Sequence, residues 1–447
     1  MTRIAFAGTR YADLSSALLL EDREACALLL ASQSSAHVSR SNLLVREIHP
    51  APADAYAFRT ELKAQLFPDF LVPIVKRARE ERLSVIFVHT HPFAEGPPRF
   101  SPTDDMGEGL LAEFMARRAP NVPHAALVIG PDGCAARRLG DKDQPLPVVQ
   151  VGAKIDVIYD PSGDNVIEGR WDRQVRAFGE QGQVAIRRAR VAIVGVGGTG
   201  SIAAEQLAHL GVSHFLLVDP DVVDETNLNR LVGTTVEDVG TKKTTAIERY
   251  IRRINPDASV NAIARDVTDL DVANALTEVD AIFGCTDSHA SRAILNQLAY
   301  QYYVPLFDVG VGIVARQGRI TNISGRTQMA SPGLPCLVCS GVIDAAAVRR
   351  ELQSAVQRAA DPYITGFNEP QPAVISLNST MASLMVTMFM SAFTPVPGSA
   401  RLQYYNGITG IVRAATVTAN PTCIVCSRAG ALGLGNEWTL PGRAPAP

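Results

Sequence analysis

The chain has 447 residues, of which 47% are hydrophobic and 19% are charged, and its formal net charge is −3. This length suffices for roughly two to four globular domains, and the slightly acidic balance argues against a generally basic surface for nucleic acid. The opening residues "MTRIAFAGTRYADLSS" lack the long apolar segment of a secretory signal, so a cytoplasmic location is predicted.

The first 150 residues are predicted to form an α/β unit. Two apolar runs, "EACALLLA" and "LSVIFVH", are typical of buried strands, and "HAALVIGPDG" of a third strand with its turn. Between them, "TDDMGEGLLAEFMARRA" is predicted to be a helix with Thr103 as its N-cap. A turn-rich polar stretch at "DPSGDNVIEG" indicates the end of this unit at about 155–165.

Residue types that bind metals follow the second of these strands. His89 and His91 lie one residue apart, and because side chains alternate along a strand, both imidazoles are expected on one face. A carboxylate from the following loop or helix start would complete a set of three. Three protein ligands leave the fourth zinc position for water, as in catalytic sites. The alternative is a pair of ordinary histidines at a strand end.

From Val191 onward, strands alternate with helices, which predicts a doubly wound parallel sheet. The turn "GVGGTGS" follows the first strand and opens a helix. Backbone amides at this positive end of the helix can bind phosphates. Its glycines are Gly195, Gly197, Gly198 and Gly200. Asp219 ends the next strand, where an acidic residue would bind ribose hydroxyls. This much also fits an NAD-dependent oxidoreductase.

The polar residues beyond the glycine turn favour ATP over NAD. Cations neutralise phosphate charge and an aspartate can hold Mg²⁺, so a triphosphate site needs both. The residues expected at the carboxyl edge of the sheet are Asp221, Asn227, Arg230, Lys242, Lys243 and Asp287.

Four of the seven cysteines form two CxxC pairs, Cys336 with Cys339 and Cys423 with Cys426. Four thiolates at this spacing predict a closed structural zinc site. The remaining three are Cys26, Cys134 and Cys285. Cys285 ends an apolar strand and is interpreted as structural, so no catalytic cysteine is assigned.

Two segments near the C-terminus are interpreted structurally. Residues 370–400 are uncharged and apolar, but serine, asparagine and threonine interrupt them, which favours a buried or subunit-interface helix over a membrane span. Residues 436–447, ending in "LPGRAPAP", are predicted to be a disordered tail.

Residues 165–430 resemble the adenylating domain of the ThiF/MoeB and ubiquitin-activating superfamily. The resemblance runs through "RWDRQVRAFGEQGQ", "GVGGTGS", "LVDPDVVDETNLNR", "VGTKK", "GCTDS" and both cysteine pairs. It implies a Rossmann-like domain, over 165–435, with a structural zinc. It also implies that ATP and Mg²⁺ activate the C-terminal glycine of a ubiquitin-like protein as an acyl-adenylate.

Individual roles follow from the same resemblance. Asp219 would hold the ribose, and Asp287 would hold Mg²⁺. Asn227, Arg230 and Lys243 would hold the phosphates. Arg173 matches the arginine that enters the partner subunit's ATP site in homodimeric members, which implies a homodimer. Arg170 is the nearby competitor for that role.

Residues 1–155 resemble the JAB/JAMM metalloproteases, through "HTHP" followed by a serine and an aspartate in S-x-x-D spacing. The resemblance implies that His89, His91 and Asp104 bind zinc and that Ser101 stabilises the tetrahedral intermediate. Glu24 fits the family's general base, with Glu21 and Glu47 as fallbacks. Twelve residues separate His91 from Asp104, two more than is usual in that family, so Asp105 stays open as a substitute ligand.

Together these resemblances predict an enzyme that adenylates ubiquitin-like tails and also cleaves after them, in precursor processing or deconjugation. Such fusions resemble components of bacterial ubiquitin-like systems, some of them linked to phage defence. The expected partner is a ubiquitin-like or sulfur-carrier protein with a C-terminal glycine, and a conjugating enzyme is left open. The alternatives are a MoeB-like activator for cofactor synthesis, an NAD(P)-dependent oxidoreductase and a non-catalytic scaffold.

Overall fold

The computed structural model describes residues 2–34, 42–163, 167–316, 319–353 and 372–443. The chain forms two compact units, and neither is a single continuous stretch. The first comprises Met1–Asp164 and Gly433–Trp438, and the second comprises Asn165–Leu432 and Thr439–Pro447.

The first unit alternates strands with three helices. Its strands are β1 (Arg3–Ala7), β2 (Cys26–Ser34), β3 (Asn42–Pro50), β4 (Tyr56–Arg59), β5 (Ala64–Leu66), β6 (Ser84–Thr90), β7 (Ala125–Gly130), β8 (Gly133–Arg138), β9 (Val148–Val151) and β10 (Ile155–Tyr159). Its helices are α1 (Arg10–Leu18), α2 (Pro68–Glu80) and α3 (Pro102–Arg118). The strands predicted near residues 26, 84 and 125 and the helix α3 are therefore confirmed.

A mixed eight-stranded sheet, in the order β10-β9-β1-β3-β2-β6-β7-β8, is sandwiched between helices. Alternate residues of β2 enter different cores: Leu29 joins Leu14 of α1, and Leu28 joins Val75 of α2 and Met115 of α3. Because side chains alternate, His89 of β6 lies on the same face as Val85, which is the face covered by α2 and α3.

The end of the chain is ordered as far as it is described, so the prediction of a disordered tail is wrong for residues 436–443. A short 3₁₀ helix, Gly435–Glu437, packs against β2, and Glu437 pairs with Arg46 at 2.7 Å. Leu440 is buried in the second unit. The composition predicted a free tail, but the burial of Leu440 and the ion pair of Glu437 fix this segment. Residues 444–447 lie outside the described part of the chain.

The second unit also alternates helices and strands. Its helices are α4 (Asp172–Arg188), α5 (Gly198–Leu210), α6 (Lys243–Ile254), α7 (Leu270–Ala275), α8 (His289–Gln301), α9 (Ala345–Leu352) and α10 (Ile375–Phe393). Its strands are β11 (Arg190–Val194), β12 (His214–Val218), β13 (Ser259–Ile263), β14 (Ala281–Gly284), β15 (Leu306–Arg316), β16 (Arg319–Ala330), β17 (Leu402–Asn406) and β18 (Ile411–Ala414).

Its sheet has the order β13-β12-β11-β14-β15-β16-β17-β18. Strands β13 to β15 are parallel, as predicted, but β15 to β18 are antiparallel, so the prediction of a wholly parallel sheet is wrong for this half. The reason is that β15 and β16 form a hairpin, which leaves no room for a crossover helix. The order reverses between β11 and β14, the place where doubly wound sheets bind ligands.

Helix α10 is the only helix among the described residues that is long and apolar enough to cross a membrane. It packs against α5 and β15, and its Phe389 lies 5.4 Å from Phe283 and 5.7 Å from Phe307 between ring centres. These contacts confirm the prediction of a buried helix, which here supports the edge of the sheet beside the glycine turn.

Candidate active sites

The first candidate site lies where β6 ends in the first unit. His89 Nε2 lies 3.2 Å from Asp104 Oδ1, and His91 Nε2 lies 3.4 Å from Asp104 Oδ2. One ligand atom from each of these three residues falls within 4.8 Å of the other two. The structure thus brings together the three predicted ligands, despite the lengthened loop before Asp104.

The donor set fits a tetrahedral zinc ion. Zinc bonds of about 2.0–2.1 Å separate neighbouring nitrogen and oxygen ligands by roughly 3.3 Å, close to both measured distances. His89 Nε2 is buried and makes no hydrogen bond among the described residues, although a carboxylate oxygen is near. Burial would raise the pKa of Asp104, but the two neighbouring imidazoles outweigh this effect and hold it well below its usual range. A bound metal ion would take the place of protons between the two imidazoles and the Asp104 carboxylate.

Glu24 is positioned beside these ligands by strand pairing. Cys26 of β2 lies opposite His89, and Thr90 donates to the Ala25 carbonyl at 3.0 Å, so Glu24 falls opposite His91. Its Oε1 lies 3.9 Å from His91 Nε2. Burial raises the pKa of Glu24, and the neighbouring histidines only partly offset this effect.

The two fallback glutamates lie elsewhere. Glu21 is exposed and pairs with Arg59 at 3.1 Å. Glu47 pairs with Arg77 at 2.6 Å, and hydrogen bonds from that guanidinium lower its pKa despite partial burial. Of the three glutamates considered, the geometry therefore favours Glu24 as a base.

Ser101 and Asp104 form a capping box at the start of α3. The Asp104 amide donates to Ser101 Oγ at 3.2 Å, and the Ser101 amide donates to Asp104 Oδ2 at 2.6 Å. The predicted cap Thr103 is therefore wrong, because the S-x-x-D pair satisfies the orphan amides first. Asp105 is turned away and is held by Arg137 and Lys142, so it is not the third ligand.

A buried ion-pair network that the sequence reasoning missed anchors the first turns of α3. Arg137 of β8 pairs with Glu108 at 2.7 Å and with Asp105 at 2.8 Å, and both Arg137 and Glu108 are almost inaccessible. Its guanidinium carbon lies 3.9 Å from the ring centre of Phe100, whose ring faces His89. The only signal in the sequence was an acidic residue, Glu108, on the apolar face of a predicted helix.

A cavity of about 520 Å³ opens beside two of the three predicted ligands, His89 and Asp104. Its wall is mostly apolar and ends at Glu24, His89 and Asp104. The apolar part of the wall includes Leu28, Leu66, Leu71, Phe87 and Leu111. An extended peptide could therefore lie against apolar side chains while one of its bonds reached the ligand cluster.

The second candidate site lies at the carboxyl edge of the second sheet, beginning with the glycine turn. Gly195 has φ of +85°, and a Cβ there would lie 2.6 Å from the Cys285 carbonyl oxygen. A Cβ on Gly200 would lie 1.9 Å from the Gly195 carbonyl oxygen. Neither position can hold a side chain, so the turn brings β11, β14 and the start of α5 within backbone contact.

Asp219 ties this turn to the next loop. Its Oδ2 accepts from the Val196 amide at 2.8 Å, and its Oδ1 accepts from the Asp221 amide at 2.9 Å. Burial raises the pKa of this carboxyl group. The side chain is thus fixed at the end of β12, where the predicted contact with ribose hydroxyls requires it.

The predicted cations are held by short local contacts. Lys243, the first residue of α6, pairs with Asp221 at 2.7 Å. Arg230 donates to the Thr226 carbonyl at 2.7 Å, and its aliphatic carbons lie 3.4 Å from the point where a Gly198 Cβ would be. Asn227 accepts from the Asp224 amide at 3.3 Å, so it closes the short helix that carries this loop.

Asp287 is exposed, three residues beyond the end of β14. Nearby lies a group that sequence reasoning missed: Asp308 is fully buried and pairs with Arg292, at 3.3 Å, and with Arg326. Arg292 also donates to the Asp287 carbonyl at 3.4 Å. The available signal was an aspartate in the apolar run "PLFDVGV", since a buried carboxylate needs a cation.

Arg173 is exposed near the start of α4. Its competitor Arg170 is engaged within the second unit, where it pairs with Glu168 at 3.0 Å and lies over the Trp171 ring. This difference leaves Arg173 as the freer of the two to reach another molecule, and its role in a homodimer stays a prediction.

The four predicted zinc cysteines come together in the second unit. Cys336 Sγ lies 3.6 Å from Cys423 Sγ, and Cys339 Sγ lies 3.6 Å from Cys426 Sγ. All four sulfurs fall within 4.8 Å of one another. Tetrahedral Zn–S bonds of about 2.3 Å imply sulfur separations of roughly 3.8 Å, so the set fits zinc. A hydrogen bond from Cys426 lowers the pKa of Cys336 to about 5.

Replacing Cys423 by serine is expected to remove the zinc bound at this cluster and to destabilise the second unit. The melting temperature should fall by about 5 °C or more, because each kcal/mol lost shifts the midpoint by roughly 2–4 °C in a domain of this size. Zinc content and circular dichroism would measure both effects. Ser427→Ala is the matched control, since its hydroxyl has no hydrogen-bond partner in the described structure and should cost nothing. Unchanged zinc content in Cys423→Ser would contradict the assignment.

The other three cysteines lie where burial disfavours their thiolate forms. Burial raises the pKa of Cys26, of Cys134 and of Cys285 to about 12 in each case. Thiolates are the reactive form of cysteine, and a thiol with this pKa supplies very little thiolate near neutral pH. That no thioester cysteine lies in this chain stays a prediction.

Comparison with known proteins identifies the second unit. Residues 171–425, more than half of the chain, match the ThiF family, so the protein belongs to that family. It is 29% identical over 261 residues to "Molybdopterin-synthase adenylyltransferase" of Escherichia coli (strain K12), covering 58% of this chain and 96% of that protein. It is 32% identical over 161 residues to "SAMP-activating enzyme E1" of Haloferax volcanii, covering 36% of this chain and 56% of that protein.

Among solved structures, the Escherichia coli MccB structure with ATP has a TM-score of 0.47 at 20% identity, covering 58% of this chain and 75% of that one. The curated relatives named above are adenylylating or activating enzymes, which bears out the ThiF/MoeB resemblance and not the oxidoreductase alternative. The family match begins at residue 171, so the JAB/JAMM interpretation of the first unit stays a prediction.

Proposed function

We propose that the second unit adenylates the C-terminal carboxylate of a ubiquitin-like or sulfur-carrier protein. The observation that carries the proposal is the meeting, at one edge of the sheet, of the glycine turn, Asp219, Arg230, Lys243 and Asp287 in a ThiF-family domain. The names of the relatives favour a MoeB-like activator, the alternative set out above, at least as well as a coupled conjugation enzyme.

In this reaction a carboxylate oxygen of the partner bonds to the α-phosphorus of ATP, and the bond from that phosphorus to the pyrophosphate oxygen breaks. The attack brings negative groups together, so the cations must offset repulsion. Arg230 lies at the positive end of α5, and Lys243 is held nearby. Asp219 would orient the ribose, and Asp287 would hold Mg²⁺, which when bound would neutralise phosphate charge.

The acyl-adenylate needs an acceptor from outside this chain. No cysteine outside the zinc cluster has a depressed pKa, so we propose that a thiol or small nucleophile of another molecule attacks the adenylate directly. A conjugating enzyme is one such acceptor. We further propose a homodimer in which Arg173 contributes to the partner subunit's nucleotide site.

As a second function, we propose that the first unit is a zinc peptidase. Its support is the fit of His89, His91 and Asp104 to tetrahedral zinc, with Glu24 buried beside them. When bound, zinc would act as a Lewis acid toward water and the peptide carbonyl. Glu24 would take the proton from the attacking water and return it to the leaving amine. Ser101 would donate a hydrogen bond from its hydroxyl to the tetrahedral intermediate while its oxygen caps α3.

The two proposed activities share a substrate feature, a tail that ends in or runs through glycine. The cavity beside Glu24 and His89 suits an extended, partly apolar segment. We therefore propose that the peptidase acts on the same class of ubiquitin-like protein that the second unit activates, either exposing the terminal glycine or releasing a conjugate.

The test is pyrophosphate exchange with the purified full chain. Labelled pyrophosphate should enter ATP only when Mg²⁺ and a ubiquitin-like protein with a free C-terminal glycine are present. The same protein extended past its glycine should be cleaved without ATP. Tight nicotinamide binding with no exchange for any such protein would overturn the adenylation proposal. Exchange without cleavage would overturn only the peptidase proposal.

A further inference from the structure

Helices α5 and α10 lie side by side in the second unit and run in the same sense. Asn378 in the first turn of α10 faces Gly198, the first residue of α5. Further along both helices, Gln206 donates to Ser383 at 2.8 Å. The contacts therefore advance in the same direction along both helices, so the two helices are parallel and begin at the same place.

Two neighbouring helix N-termini concentrate partial positive charge. Each carries unsatisfied amides and the positive end of its macrodipole, so the two like ends repel unless an anion lies between or in front of them. The start of α5 is already the phosphate-binding end of the glycine turn. Helix α10, with its 19 residues, adds a second such end at the same point.

The Asn378 side chain supplies an observation independent of the helix ends. The residue is 5% exposed, and its amide makes no hydrogen bond within the described residues. Its Nδ2 lies 2.4 Å from the point where a Gly198 Cβ would be, and the Arg230 aliphatic carbons lie 3.4 Å from that same point. The amide thus fills the space that the glycine leaves and sits beside the predicted phosphate-binding arginine.

Because the residue is largely buried and no hydrogen bond from its side chain is found among the described residues, its amide is available to an acceptor that enters the site. The groups around it are donors or cations: the first amides of α5, the first amides of α10 and Arg230. An acceptor that satisfies all of them is an anion with several oxygens, such as a phosphate.

We propose that Asn378 is a further nucleotide-binding residue, which donates from Nδ2 to a phosphate oxygen of ATP. The inference rests on the proposed adenylation, and it adds α10 to the elements that form the site. Asn378 lies outside the glycine turn and outside the acidic and cationic residues that the sequence motifs identify. Asn378 lies on α10, which the sequence identified only as an apolar helix.

The test compares nucleotide binding by four variants of the full chain. Asn378→Leu keeps roughly the same volume without a donor, and Asn378→Asp keeps the shape but repels phosphate. Arg230→Ala serves as the positive control. Ser383→Ala is the matched control, because it breaks a contact between the same two helices away from their starts. Calorimetric titration with a non-hydrolysable ATP analogue and with adenosine would give each affinity.

The expected result is a 10- to 100-fold weaker affinity for the ATP analogue in Asn378→Leu, as for a lost hydrogen bond to a charged group, and a larger loss in Asn378→Asp. Adenosine affinity should not change, nor should the melting temperature of Asn378→Leu without nucleotide fall. ATP-analogue affinity within twofold of wild type in a folded Asn378→Leu, alongside a loss in Arg230→Ala, would overturn this inference alone. A wild-type chain that binds no ATP analogue would overturn the adenylation proposal as well.

Discussion

Asp287→Ala is expected to lower the rate of ATP–pyrophosphate exchange by a factor on the order of 10³, while peptide cleavage by the first unit continues. The carboxylate is exposed at the carboxyl edge of the sheet, two residues after Cys285, whose carbonyl oxygen faces Gly195 of the glycine turn. In the proposed role Asp287 would hold Mg²⁺ against the phosphates, and preorganised charges of this kind supply a large share of catalysis.

The measurement is exchange at saturating ATP over a range of Mg²⁺ concentrations. Asp257→Ala is the control, since that carboxylate is largely exposed and approaches Arg170 only to 3.9 Å. Asp287→Asn keeps the volume and should fail nearly as badly as alanine, which would separate charge from packing. Exchange within a few-fold of wild type in Asp287→Ala would contradict the assigned role. Loss of cleavage as well, in folded protein, would contradict the independence of the two sites.

Glu24→Gln is expected to have the opposite effect. Cleavage of a glycine-extended ubiquitin-like protein should fall by about 10²–10⁴, the range for loss of a general base, while pyrophosphate exchange is unchanged. Glutamine keeps the shape of the side chain but cannot accept the proton from water. Zinc bound by His89, His91 and Asp104 should be retained, because Glu24 lies 3.9 Å from the nearest histidine nitrogen and is not one of the three.

The controls for this variant are the two fallback glutamates. Glu21→Gln and Glu47→Gln should each retain cleavage, because their carboxylates pair with Arg59 and Arg77 away from the ligand cluster. Cleavage and metal content would be measured on the same preparations. If Glu47→Gln lost cleavage and Glu24→Gln did not, the assignment of the base would be wrong.

The predictable parts of the fold are those whose pattern is visible within one short stretch of sequence. The strands β2 and β6 are continuous apolar runs, and α3 has helical spacing, so each could be recognised without knowing its neighbours. The shared face of His89 and His91 followed from alternation along one strand, and Asp104 was predicted as the third ligand from the JAB/JAMM resemblance. The extra residues before Asp104 left its ligand role open, and the capping box with Ser101 fixes its position.

The parts that were missed depend on contacts between distant segments. No helix pattern separates β15 from β16 in the sequence, so nothing local indicates whether they pair parallel or antiparallel. Strand β17 pairs with β16 although α9 and α10 lie between them in the chain. The ion pairs of Asp308 and of Arg137 join residues from separate elements, so no window of sequence contains both partners. Asn378 looked like an interruption of an apolar helix until its neighbour Gly198 was known.

The return of Gly433–Trp438 to the first unit has a practical consequence. A gene fragment ending near residue 164 would encode a first unit without the segment that packs on β2, and one truncated before 433 would deprive both units of chain. We therefore expect a first unit expressed alone, without residues 433–438, to be less stable than in the full chain. A domain swap that cuts only at the 164–165 junction should therefore leave the first unit without this segment.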